Sequence, residues 1–113
     1  ELGLRNKVDV HYEPQSFTWR MMKMLEEGQA GTFDFCYLDG GHTWDTSGFA
    51  FFLVDRLLAP GATLVLDDLN WTIAGSEALR NRESTNKIPL DMREAQQRVV
   101  EEIRALWRAK CWR

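Results

Sequence analysis

Two short runs of apolar residues stand out in the middle of the chain, and carboxylates follow both of them. The first run covers residues 33–38 and is apolar apart from Asp34, and the second covers residues 62–66. An apolar run of this length is typical of a strand that is buried on both faces, as strands are in parallel sheets. The pattern therefore predicts two buried strands, over 33–38 and 62–66.

A third strand is predicted near the start of the sequence, where apolar and polar residues alternate. Between residues 7 and 12, Val8, Val10 and Tyr12 fall on one face of an extended chain and polar side chains fall on the other. Alternation of this kind is typical of a strand with one better-buried side. Pro14 lies in the break that follows.

Apolar residues at helical spacing predict a first helix over about 17–27. Ser16 or Thr18 can cap its start, because a hydroxyl at this position accepts a hydrogen bond from a free N–H of the first turn. Gly28 is a natural stop. The methionines on the apolar side of this helix are typical of core filling.

A second helix is predicted between the two buried strands, over about 46–58. Thr43 or Thr46 can cap it. The sequence Ala59-Pro60-Gly61 separates this helix from the next strand and is typical of a turn.

The periodicity is weak from 69 to 90, where we predict a long loop with a helical turn near 77–82. A connection of this length inside a compact domain is usually functional or mobile. Asp91-Met92-Arg93-Glu94 then resembles a capping box with Asp91 as the cap. It predicts a final helix that runs to about 109.

The predicted order of elements is strand, helix, strand, helix, strand, loop and helix. Strands that alternate with helices imply right-handed crossovers and a parallel sheet. A chain of 113 residues, with 44% apolar and 27% charged residues, is long enough for one domain with a single modest core. We therefore predict a single α/β domain over residues 1–113.

Charge and cysteine content narrow the class of function. A net charge of -3 argues against a nucleic-acid surface as the main function. No apolar run approaches the roughly 20 residues needed to span a bilayer, and no secretory signal is visible. Cys36 and Cys111 do not make a disulfide framework. From these features we predict a cytoplasmic protein with no membrane partner.

Four side chains with candidate chemistry follow the two buried strands. Asp39 and His42 come after the first strand, and Asp67 and Asp68 come after the second. In an open α/β sheet, ligands bind beyond the carboxyl ends of the strands, so these groups are expected at one edge of the sheet. The simpler interpretation is that the carboxylates are solvated or cap the next helix.

These segments resemble class I S-adenosylmethionine-dependent methyltransferases, and more closely the metal-dependent O-methyltransferases of the catechol and macrolide-sugar types. Those families carry a strand ending in an aspartate, a helix, a Leu-x-Pro-Gly turn, and a strand ending in two adjacent metal-binding residues. The matching positions here are Asp39, Leu58-Ala59-Pro60-Gly61, and Asp67 with Asp68. His42 also resembles a histidine that the sugar-modifying members carry three residues after the first aspartate.

The resemblance implies transfer of a methyl group from S-adenosyl-L-methionine to a hydroxyl of a small molecule, assisted by Mg²⁺. Magnesium prefers oxygen ligands, and a bound metal lowers the pKa of a substrate hydroxyl. His42 is the implied general base, since imidazole titrates near neutral pH. The other implied site residues are Asp39, Asp67 and Asp68 for the metal, and Gln15 and Ser16 for the cofactor. Asn70, a spare oxygen ligand, and Trp71, a candidate pocket wall, follow the aspartate pair and are predicted to contact the substrate.

Part of the family pattern is missing from this sequence. It has no Gly-rich cofactor loop after a first strand and no acidic residue ending a second one. The chain thus resembles the later half of such a domain, a partial Rossmann-like fold. Unpaired sheet edges invite pairing with another chain. We therefore predict a three-stranded parallel sheet that dimerises, and an enzyme that is complete only with another chain or segment.

Two other classes of function stay open. A non-catalytic dimerising α/β interaction module, derived from a methyltransferase, has the same sequence features. A hydroxylase-like relative that uses iron is the weaker alternative, because His42 with Asp39 supplies only part of a facial triad.

Overall fold

The computed structural model describes residues 3, 6–41, 43–68, 70–93, 101–106 and 108. The elements in chain order are α1 (Phe17–Glu26), β1 (Phe33–Leu38), a π-helical turn (Trp44–Gly48), α2 (Phe49–Leu57), β2 (Leu58–Leu66), α3 (Glu77–Arg80), α4 (Glu83–Asn86) and α5 (Leu90–Arg93). Residues 101–106 are also helical and are called segment 101–106 below. The chain is therefore a mixed α/β protein, as the order of elements predicted.

The two buried strands predicted from the sequence form a parallel two-stranded sheet. The bounds of β1 are those predicted, and α2 supplies the crossover that parallel neighbours require. Cys36 pairs with Leu64, and Leu38 pairs with Leu66. These four residues alternate with the others along their strands, so they share one face of the sheet.

β2 begins earlier than predicted because the expected turn lies inside it. Phe33 pairs with Leu58, but Phe35 already pairs with Thr63, so the chain inserts extra residues into β2 between these two pairs. Gly61 lies in this irregularity with φ +82. Glycine adopts positive φ without a steric penalty, which allows Pro60 and Gly61 to stay within an extended segment.

The first helix is confirmed, with Ser16 as its cap. Ser16 has extended backbone angles, and its Oγ accepts a hydrogen bond from the backbone N–H of Thr18 at 3.2 Å. The Oγ atoms of Ser16 and Thr18 also lie 2.7 Å apart. The helix α1 packs against α2, so the two helices lie in the same layer.

The second helical region begins before its predicted start. The π-helical turn opens at Trp44, with Thr43 as the capping residue but without a side-chain hydrogen bond to the helix. Thr46 therefore lies inside the turn rather than at a cap. The α-helical part continues to Leu57, one residue short of the predicted end.

Residues 7–12 do not form the predicted third strand, and the described part of the chain has a two-stranded sheet. Val8, Val10 and Tyr12 are exposed by 56%, 87% and 86%. Glu13, which follows them, pairs with Lys23 Nζ of α1 at 3.0 Å. A strand requires a neighbour that accepts its backbone hydrogen bonds, and this segment lies along no strand edge of its own chain.

The weakly patterned region contains short helices. The helical turn predicted near 77–82 is present as α3, whereas α4 was not predicted. The helix α5 begins at Leu90, so Asp91 lies in its first turn rather than at the cap. Segment 101–106 lies within the predicted final helix, while residues 94–100, 107 and 109 lie outside the described residues.

The core lies between the helices and one face of the sheet. Phe51 of α2 and Ile103 of segment 101–106 are both buried and pack together against Leu64 and Leu66 of β2. Ile103 is only 1% exposed. The buried side chain of Ile103 thus packs segment 101–106 against the sheet.

The opposite face of the sheet is open. Phe35 and Tyr37 of β1 are more than half exposed, at 55% and 54%, and Val65 of β2 is also exposed. Phe35 pairs with Thr63 and Tyr37 with Val65, so these residues form one continuous surface, called the outer face below. The prediction that both strands are buried on both faces is therefore wrong for this chain.

Candidate functional site

The two strands end side by side, and an aspartate follows each of them. Leu38 and Leu66 are the last paired residues, and Asp39 and Asp67 come directly after them. The backbone N–H of Asp67 donates to the carbonyl oxygen of Leu38 at 3.1 Å. The backbone hydrogen bonds between β1 and β2 thus continue to Asp67. They hold the two aspartates at neighbouring positions of one sheet edge, which we call the carboxylate edge.

The carboxylate of Asp67 is held by two hydrogen bonds. Its Oδ1 accepts from the backbone N–H of Asp68 at 2.7 Å, and its Oδ2 accepts from the hydroxyl of Tyr37. A carboxylate oxygen has a second lone pair, so both oxygens can still bind a further donor or a cation. Asp67 is therefore oriented while retaining part of its ligand capacity.

Tyr37 is the residue at this edge that the sequence did not assign. We predicted it as part of a strand buried on both faces, but its ring is exposed on the outer face and its hydroxyl contacts Asp67. Residues 37 and 39 lie on the same side of an extended strand. That alternation was the signal that could have placed the Tyr37 hydroxyl at the carboxylate edge.

Asp68 turns the chain away from the strand. Its φ is +54, a left-handed conformation that aspartate adopts more readily than most residues. Its carbonyl oxygen accepts from the backbone N–H of Trp71 at 2.9 Å, which closes the turn after β2. Asp68 and Asn70 are exposed on this turn, and Trp71 is half-buried.

The two glycines after Asp39 are required by close packing. A Cβ on Gly40 would lie 2.6 Å from Cζ of Phe17, and a Cβ on Gly41 would lie 2.7 Å from Cγ2 of Thr46. The hydroxyl of Ser47 also donates to the carbonyl oxygen of Gly41. Residues 40 and 41 are therefore packed closely between α1 and the π-helical turn. Neither has positive φ, so space rather than backbone conformation favours glycine here.

The contact of Phe17 with Gly40 brings the start of α1 to the carboxylate edge. Gln15 and Ser16 directly precede this contact, so the predicted cofactor residues lie at the same end of the sheet as Asp39. Gln15 is exposed. The Ser16 hydroxyl already caps α1.

The candidate metal site has two neighbouring carboxylates rather than a formed cluster. In the part of the chain that the structure describes, no group of three or more His, Cys, Asp or Glu side chains is placed to hold a metal ion. Magnesium is often bound by one or two carboxylates with waters and substrate oxygens. Asp39 and Asp67 fit that smaller donor set, and Asp68 begins the turn that follows β2. His42 lies outside the described residues.

Cys36 is the one titratable group among the described residues for which a pKa shift is resolved. Burial raises the pKa of its thiol, because the charged thiolate loses hydration. The residue lies on the helix-covered face, opposite Leu64. This environment is typical of a structural cysteine rather than of a nucleophile.

We expect Cys36 to alkylate more slowly in the folded chain than in denaturant at the same pH, because less thiolate is present. A Cys111→Ser background isolates the signal, which is read by mass spectrometry after iodoacetamide. A raised native pKa also means that this thiol's contribution to stability is complete below the unfolded pKa. That contribution to stability is then lost as pH rises through the pKa of the thiol in the folded state. Equal alkylation rates in both states would contradict this environment.

No protein-family model matches the chain, and the curated proteins and the solved structures contain no match to it either. Over the described residues, no helix has both the length and the apolar content needed to cross a bilayer. The function must therefore be argued from the carboxylate edge itself.

Proposed function

We propose that this chain is the later half of a class I methyltransferase-like domain of Rossmann-like type. Its proposed activity is transfer of a methyl group from S-adenosyl-L-methionine to a hydroxyl of a small molecule, with Mg²⁺. The observation that carries the proposal is the β1–α2–β2 unit, whose parallel strands end in register at Asp39 and Asp67. Ligand sites of parallel α/β sheets lie beyond such strand ends.

The open outer face supports the second part of the proposal, that another chain or segment completes the domain. Parallel sheets occur almost only with both faces covered by helices. Here the described helices α1, α2 and segment 101–106 form one connected layer, while the outer face exposes Phe35, Tyr37 and Val65. The completing part would cover this face and supply the cofactor loop that the sequence lacks.

In this proposal each site residue has a separate task. Asp39 and Asp67, with Asp68, hold the divalent cation, which when bound lowers the pKa of the substrate hydroxyl. Tyr37 orients Asp67 through its hydroxyl. His42 accepts the substrate proton, Gln15 and Ser16 contact the cofactor, and Asn70 and Trp71 border the substrate. The roles of His42, Gln15 and Ser16 rest on the family resemblance alone.

Calorimetric titration with S-adenosyl-L-methionine, with and without Mg²⁺, tests this proposal. We expect weak binding by the chain alone, which strengthens when the metal is present and a hydroxylated acceptor is added. The matched control is Asp34→Asn, which removes an exposed carboxylate of β1 away from the carboxylate edge. Absence of binding at millimolar cofactor, in all these conditions, would rule out the enzymatic function for this chain.

The second candidate is a non-catalytic interaction module that dimerises. The exposed apolar residues of the outer face favour it, since large exposed apolar patches mark interaction surfaces. Sedimentation of an Asp67→Ala/Asp68→Ala variant separates the two functions. An intact dimer together with no metal affinity in the parent chain would support the module.

A further inference from the structure

The free edge of β1 and the unpaired segment 7–12 are complementary parts of one chain. In the described residues β1 pairs with β2 alone, so its other edge presents unpaired backbone N–H and C=O groups. Val8, Val10 and Tyr12 alternate with polar residues, are exposed, and belong to no strand among the described residues. The segment therefore has the pattern of a strand, and β1 has a free edge that could accept one.

We propose that two copies of this chain associate by exchanging residues 8–12, which add as an antiparallel third strand to the free edge of β1 in the second copy. The exchange extends each sheet and brings three apolar side chains onto the outer face. It is independent of methyl transfer, because cofactor binding and strand exchange are measured separately and either can fail alone.

The antiparallel register places all three apolar residues of segment 8–12 opposite the three aromatic residues of β1. With Val10 opposite Phe35, Val8 lies opposite Tyr37, and Tyr12 lies opposite Phe33. All three pairs join a β-branched or aromatic residue to an aromatic one, which is the kind of cross-strand pair that stabilises sheets most. The side chains of the added strand would thus pack beside the exposed rings of Phe35 and Tyr37.

Charge complementarity favours this antiparallel register over the parallel one. In the antiparallel register Asp34, the exposed carboxylate of β1, faces His11. The parallel register with the same number of apolar pairs places Asp34 opposite Asp9, and like charges directly opposite each other are destabilising. A parallel shift by two residues relieves this repulsion but sets Tyr12 against Asp39 and loses an apolar pair.

Chain connectivity assigns the antiparallel strand to a second copy. Ser16 lies at the carboxyl end of β1, because the neighbouring Phe17 packs on Gly40. An antiparallel strand puts Tyr12 at the amino end of β1, roughly 20 Å away at the rise of an extended chain. Residues 13–16 span at most about 14 Å. The short connection therefore favours the parallel direction for the chain's own segment and the antiparallel direction for a second copy.

Cysteine pairs test the register and the partner together. In a Cys36→Ser/Cys111→Ser background, Val8→Cys is combined either with Tyr37→Cys or, as the matched control, with Phe33→Cys. The proposal predicts that mild oxidation of the first pair gives a reducible species at twice the 13.1 kDa of one chain. The control pair should yield roughly tenfold less crosslinked dimer, since residues 8 and 33 lie too far apart for a disulfide in the antiparallel register.

A bridge that forms within one chain, in the control pair, would overturn the proposal in favour of an intramolecular parallel strand. A dimer in which neither cysteine pair crosslinks would overturn the strand-exchange proposal as well. The two copies would then associate through their β1 edges or their outer faces. A monomer at all concentrations in sedimentation would exclude association altogether.

Charge variants give a second, independent readout by sedimentation equilibrium. Asp34→Lys should raise the dimer dissociation constant by roughly two- to tenfold, because the cross-strand pair of Asp34 with His11 is lost. Val10→Asp should abolish the dimer. Phe49→Asp, which changes an exposed aromatic residue of α2 outside the exchanged strand, should leave it unchanged. Tighter association of Asp34→Lys would contradict the antiparallel register.

Discussion

Replacing Ile103 by alanine is expected to lower the free energy of unfolding by about 2–5 kcal/mol, the usual cost of truncating a fully buried Ile. The side chain is 1% exposed and packs with Phe51 against Leu64 and Leu66. Its loss removes the contact that holds segment 101–106 on the sheet. Urea denaturation followed by tryptophan fluorescence measures the change.

The matched control for this prediction is Leu106→Ala, in the same helical segment. Leu106 is 43% exposed, so its truncation should cost clearly less than that of Ile103. If the two variants unfold at the same urea concentration, Ile103 does not carry the core contact and segment 101–106 is not fixed in this position.

Replacing Gly41 by alanine is expected to destabilise the chain by about 1–3 kcal/mol, the range for forcing an extra methyl group into packed surroundings. The new Cβ would lie 2.7 Å from Cγ2 and 2.9 Å from Cβ of Thr46. The Cβ of Thr46 is bonded to the backbone, so the π-helical turn has to shift. The same movement would displace the Asp39-Gly40 end of β1, and chemical shifts there should change.

Two comparisons make the Gly41 prediction specific. Gly40→Ala should cost less, because its close contact is with the far end of the Phe17 ring, which can tilt. Thr46→Ser should reduce the penalty of Gly41→Ala, since it removes the nearest methyl group; the double-mutant cycle measures this coupling. A purely additive cycle would show that Thr46 is not the obstructing side chain.

The parallel unit of the fold was predictable because its signals are local. The run of 33–38, apolar apart from Asp34, predicts β1, and the Ser16 cap with the apolar stripe that follows predicts α1. Asp39 and Asp67 follow paired residues, so strand ends found in the sequence were enough to place both at one edge.

The predictions from the sequence are wrong where contacts with distant parts of the chain determine the local structure. Pro60 and Gly61 are typical of a turn, but the irregular pairing with β1 keeps them in β2. Residues 8–12 have the alternation of a strand, yet a strand forms only where a free edge is offered in the right direction. The exposure of Tyr37 depends on which elements cover the sheet, and the sequence of β1 alone does not contain that information.

The candidate site shows the same division between local and tertiary signals. Three aspartates at two strand ends were predictable as a set, but their side-chain directions were not. The left-handed backbone of Asp68 starts the turn toward Trp71 directly after β2. The Tyr37 hydroxyl, which the sequence did not assign to the site, donates a hydrogen bond to the Asp67 carboxylate.

The central claim is that Asp39 and Asp67 form a divalent-cation site at the carboxylate edge, and Mn²⁺-induced line broadening in NMR spectra tests it most directly. Mn²⁺ shares the preference of Mg²⁺ for octahedral oxygen ligands. We predict broadening centred on residues 39–41 and 67–68, lost in Asp39→Asn and in Asp67→Asn and retained in Asp34→Asn. Broadening spread equally over the exposed carboxylates, or unchanged in the Asp67→Asn variant, would contradict the account.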